Sequence, residues 1–94
     1  MIEEKILTLH PQGKSGRNII LATYNMHKNP ILSSLADSEL THNDLLSLVN
    51  QKLAGEFSGN IGWYAETVKL DLEARNIFER TNTKPQKYRL SKTI

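Results

Sequence analysis

The segment from Ile61 to Thr81 constrains the fold of this chain more than any other. Ile61, Tyr64, Ala65, Val68 and Leu72 recur at intervals of three and four, which puts them on one face of a helix. Asn76 then supplies a stop, because asparagine is among the few residues besides glycine that tolerate the left-handed conformation closing a helix. Directly afterwards Ile77-Phe78-Glu79-Arg80-Thr81 has strand composition and Asn82-Thr83-Lys84-Pro85 reads as a polar loop. Gln86 to Leu90 alternates, with Tyr88 and Leu90 on one side. A helix, an abrupt stop and a hairpin follow one another.

Upstream, Thr41 is a natural N-cap, with His42, Asn43 and Asp44 in the first turn. Leu45, Leu46, Val49 and Leu53 have helical spacing, and Gly55 ends the run. Ser58 is the expected cap of the helix after it. Ile31, Leu32 and Leu35 place a first helix within Leu21 to Asp37, interrupted by Pro30, which lacks a backbone donor and crowds the preceding turn. Either that helix kinks, or a short helix ends near His27 and another begins near Asn29; the second arrangement is expected. Leu40 suits a very short strand. Glu4 to Leu9 reads as a short strand or an extended arm, and His10 to Gly16 as a loop. Gly13-Lys14-Ser15 invites comparison with a phosphate-binding loop, but that motif needs a glycine where Thr8 stands, so no nucleotide cradle is expected.

The expected fold is therefore α+β and mainly helical, a winged helix-turn-helix with a C-terminal two-stranded β-hairpin wing. One domain is expected over residues 1–94: an N-terminal arm and loop at 1–18, a helical part at 19–76 and the wing at 77–91. The chain also resembles a family of small bacterial winged-helix proteins classed as a domain of unknown function. The resemblance rests on His10-Pro11 with Gly13-Lys14 and Gly16, then Phe57-Ser58-Gly59 before Trp63-Tyr64. Thr67 to Arg75, Pro85-Gln86 and Arg89-Leu90 complete it, so it spans nearly the whole chain. Asn76 stands where a glycine would be expected. The resemblance implies a fold and no chemistry.

Composition narrows the function classes. The chain has no cysteine, which excludes disulfides, thiol catalysis and cysteine-based zinc sites. No apolar run is long enough to span a membrane, and Met1-Ile2-Glu3-Glu4-Lys5 lacks the basic and apolar regions of a signal peptide, so a cytoplasmic protein is expected. His10, His27 and His42 share no metal-ligand spacing, and pairs such as Glu66 with Asp71 or Asp71 with Glu73 read as carboxylates on a solvated helix. No enzyme, catalytic residue, metal or cofactor is expected.

Charge is uneven. Six basic residues (Arg75, Arg80, Lys84, Lys87, Arg89, Lys92) against Glu79 give the segment from Arg75 onward a net +5, while the preceding residues carry −3. Such a wing suits phosphate contacts, and double-stranded DNA is the expected partner. The expected contact residues are Ser58, Asn60, Thr67 and Lys69 from the third helix and Arg80, Lys84, Lys87 and Arg89 from the wing; Lys14 and Arg17 extend the patch if their loop lies nearby. The third helix has no arginine before Arg75, although arginine–guanine is the commonest specific base contact. The alternative is a protein-interaction or homodimer surface. Trp63 and Tyr64 are adjacent and cannot share one core face, so Tyr64 is assigned to the core and Trp63 joins Thr67 and Leu70 on a second strip. That strip is either covered by the arm, Ile6 to Leu9, or left as a contact surface. Glu66 and Lys69 are expected to form a helical ion pair.

Overall fold

The computed structural model describes residues 3–91. Lys92, counted above among the basic residues, lies outside them. The first two strands, β1 (Lys5–Leu7) and β2 (Asn18–Ile20), form an antiparallel hairpin with Ile6 opposite Ile19. Only the first of these was anticipated, as one of two readings. Ile19 is buried, whereas Leu7 and Ile20 lie on the outer face, as the two-residue period of a strand requires.

Helix α1 runs unbroken from Leu21 to Leu35, which corrects the expected division near His27. A proline inside a helix forfeits one backbone bond and crowds the turn before it. Here its ring is buried on the same face as Tyr24, His27, Ile31 and Leu35, and that packing holds the helix through the defect. Strand β3 (Leu40–Thr41) follows, the very short strand anticipated at Leu40.

Helix α2 (His42–Leu53) begins as its sequence indicates, with Thr41 Oγ1 accepting the Asp44 amide at 3.2 Å. It buries Leu45, Val49 and Leu53. Helix α3 spans Ile61–Ala74, and its N-cap is Asn60 rather than Ser58. Asn60 Oδ1 accepts the Trp63 amide at 2.9 Å. The far end closes as anticipated. Asn76 takes φ +61°, the Asn76 amide bonds the Glu73 carbonyl, and the Ile77 amide bonds the Leu72 carbonyl, both at 3.0 Å. That is the double bond of a Schellman stop.

Strands β4 (Phe78–Arg80) and β5 (Lys87–Leu90) pair antiparallel, with Phe78 opposite Leu90. The expected two-stranded hairpin is part of a three-stranded sheet, because β3 pairs with the other side of β5, Leu40 opposite Tyr88. The architecture is α+β: three helices, an N-terminal two-stranded hairpin and a C-terminal three-stranded antiparallel sheet. One apolar core joins them, built from Ile31 and Leu35 of α1, Leu45 and Val49 of α2, Val68 and Leu72 of α3, and Phe78 and Tyr88 of the sheet. No described helix is long and apolar enough to cross a membrane.

Candidate nucleic-acid interface

Helix α3 places the candidate residues. Its inner face, Ala65, Val68 and Leu72, is buried as the spacing indicates, with Ile61 and Tyr64 partly buried beside it. The rest of the helix meets the sheet on one flank and the β1–β2 loop on the other.

On the sheet flank, Lys69 is only 2% exposed. Its ammonium donates to the Tyr88 hydroxyl at 3.0 Å, stands 4.2 Å from the Tyr88 ring centroid, and lies 3.9 Å from Glu66. The ion pair with Glu66 was anticipated. The burial was not, and it removes Lys69 from any surface that could touch a phosphate. A buried ammonium persists only when paired and hydrogen-bonded, and these contacts supply both conditions. Glu66 also lies 3.5 Å from His42 Nε2.

Asp71 departs further from expectation. It is wholly buried, not part of a solvated carboxylate pair. Its Oδ1 accepts the Leu9 amide at 2.7 Å, and its Oδ2 accepts Arg75 Nε at 2.8 Å and the Tyr24 hydroxyl. Burial, followed by this bond to Asp71, raises the Tyr24 phenol well above its ordinary pKa. The bond to Asp71 likewise raises Arg75. The carboxylate therefore ties the N-terminal arm, α1 and α3 together. The spacing of Tyr24, Asp71 and Arg75 offered no signal for this beyond the four-residue step from Asp71 to Arg75.

The wing cations divide into two groups. Arg80 makes a forked contact to Glu73, Nε at 2.6 Å and Nη2 at 3.0 Å, which raises its pKa further. Arg89 lies between Glu39 at 3.4 Å and Glu79 at 3.6 Å. Lys84 is exposed at the hairpin tip and Lys87 is partly exposed. Neither contacts a carboxylate among the described residues, and the same holds for exposed Lys14 and Arg17 of the β1–β2 loop. Ser58 and Asn60 are exposed before α3.

On the loop flank, Trp63, Thr67 and Leu70 form the expected strip. They line a cleft whose other wall is Thr8, Leu9, His10, Ser15, Gly16 and Arg17. The arm thus approaches the strip without sealing it: Trp63 remains 44% exposed, and Leu9 across the cleft is 43% exposed. Gly16 is where the hairpin's closest approach occurs, since a Cβ there would stand 1.6 Å from the Thr8 carbonyl oxygen. The sequence marked Gly16 only as a loop residue.

Three helices with a two-stranded hairpin and a three-stranded sheet define an α+β protein, with unpaired cations among the described residues on both hairpins. The model of a family of unknown function (DUF6958) matches residues 5–88, and the chain belongs to that family. No curated protein and no solved structure matches it.

Proposed function

We propose that this chain is a winged helix-turn-helix module that binds double-stranded DNA mainly through phosphates. The element order from α1 to β5, with α2 and α3 as the helix pair and β4–β5 as the wing, supports that architecture. One observation carries the functional reading. Helix α3 is flanked by the β1–β2 loop and the sheet, and Lys14 and Arg17 of that loop, with Lys84 and Lys87 of the β4–β5 hairpin, have no carboxylate partner among the described residues. Exposed cations without an internal partner suit counterion release at a polyanion. Arg80 and Arg89 contribute charge while holding the wing to α3 and to the neighbouring strands.

Base reading by α3 is minor. Ser58 and Asn60 offer hydroxyl and amide groups before its first turn, but Trp63, Glu66 and Leu70 occupy its outward side, and these do not match base edges. The test is Lys84→Glu with Lys87→Glu, assayed by fluorescence anisotropy on a random duplex at low salt. The expected result is loss of binding with the fold intact by circular dichroism; undiminished binding contradicts the proposal.

A second reading has its own observation, the exposed Leu9 and Trp63 with Thr67 and Leu70 beside them. An aromatic left this open with apolar neighbours suits a protein contact, in its simplest form a homodimer. Under that reading Trp63→Ser converts a dimer to a monomer in sedimentation equilibrium, and a wild-type monomer at high concentration rules the homodimer out.

A further inference from the structure

We propose that the cleft between the β1–β2 loop and α3 binds a small one-ring aromatic carboxylate. Its volume is about 160 Å³. A closed apolar cavity of about 150 Å³ accepts benzene, and this cleft, half open and lined by both polar and apolar groups, has room of the same order for a single ring. Trp63, Leu9 and Leu70 supply apolar walls, and the indole face is the natural surface for a flat ligand. Ser15 and Thr67 add hydroxyls, and Arg17 adds a permanent cation of the fork geometry that pairs with carboxylates. His10 Nδ1 accepts the Gln12 amide at 3.1 Å, so the proton of the neutral ring sits on Nε2 and makes His10 a further donor. Among the described residues no carboxylate lines the cleft; buried Asp71, behind the Leu9 amide, is itself paired with Arg75, so the charge facing an anion there is that of Arg17.

The walls are fixed before any ligand arrives. Thr8 bonds Arg17 twice at 2.8 Å, its amide donating to the Arg17 carbonyl and its hydroxyl oxygen accepting from the Arg17 amide, and the Leu9 amide is held by buried Asp71. Both Thr8–Arg17 bonds use the backbone of Arg17, which leaves its guanidinium uncommitted to the hairpin. A pre-formed site loses less conformational freedom on binding.

Trp63 is the sole tryptophan, so its fluorescence reports on the cleft directly. The experiment titrates the full chain with sodium benzoate at constant ionic strength, with benzyl alcohol as the neutral twin, and repeats both with Arg17→Gln. The expected result is a saturable change with benzoate, at least tenfold weaker with benzyl alcohol and with the variant. Amide shifts should centre on Leu9, Ser15 and Thr67 in an ¹⁵N spectrum. A linear, unsaturable response, equal affinity of the variant, or shifts confined elsewhere would overturn the proposal. No DNA enters this test, so its outcome is separate from that of the DNA-binding proposal.

Discussion

Asp71 and His27 show how two buried polar residues pull stability in opposite directions. Asp71 has its lone pairs answered by the Leu9 amide, the Tyr24 hydroxyl and the Arg75 guanidinium. Asp71→Ala leaves those groups without their acceptor, and the expected cost is about 3 kcal/mol. Thermal denaturation should show a midpoint lowered by more than about 10 °C in a chain of this size. His27 donates from Nδ1 to the Thr23 carbonyl at 2.8 Å, while its buried Nε2, on a ring packed against Phe57 and Tyr64, has no hydrogen-bond partner among the described residues. Burial lowers its pKa below the ordinary 6.5. The unfolded chain therefore takes up a proton near pH 6.5 that the folded chain still refuses. Stability is fully present above that pH and falls as the pH drops through 6.5 toward the depressed folded value. Urea midpoints at several pH values should show this decline, and His27→Phe should flatten it.

At the scale of elements, patterns repeated along one segment were legible in the sequence. The α2 cap at Thr41, the α3 stripe from Ile61 to Leu72, the stop at Asn76 and the β4–β5 hairpin each follow from neighbours a few residues apart. What depended on distant partners was not legible. Strand β2 is three residues long and exists through pairing with β1, the anticipated β3 takes its partner, β5, from far along the chain, and Pro30 is held in α1 by burial beside Ile31. Of the candidate residues, the basic run Arg80, Lys84, Lys87 and Arg89 and the shared helical phase of Trp63, Thr67 and Leu70 can be read along the sequence; which of the four cations are paired cannot. The burial of Lys69 and Asp71 was not legible either, since charged residues are seldom buried and their partners Tyr88, Tyr24 and Leu9 are far away in the chain. The hairpin makes its own prediction. Gly16→Ala places a methyl group against the Thr8 carbonyl and should open β1–β2, detected as faster hydrogen exchange at the Thr8 and Leu9 amides with α2 unaffected.

Across the whole molecule, the net charge of +2 understates what a polyanion would meet. Several carboxylates are absorbed internally: Asp71 with Arg75, Glu73 with Arg80, and Glu39 and Glu79 with Arg89. Among the described residues Lys14 and Arg17 of the β1–β2 loop and Lys84 and Lys87 of the β4–β5 hairpin have no carboxylate partner. Binding through phosphates at these four positions has a thermodynamic signature that a single affinity does not. Each neutralised phosphate releases counterions, so log K falls against log salt with a slope of about −0.9 per contact. The most direct measurement is therefore the anisotropy of a labelled random duplex titrated across a salt series, with wild type and a Lys84→Gln, Lys87→Gln variant. The DNA-binding account predicts a slope of about −3.6 for four contacts, reduced by about half in the variant. No binding at low salt, or a slope the variant leaves unchanged, would contradict it.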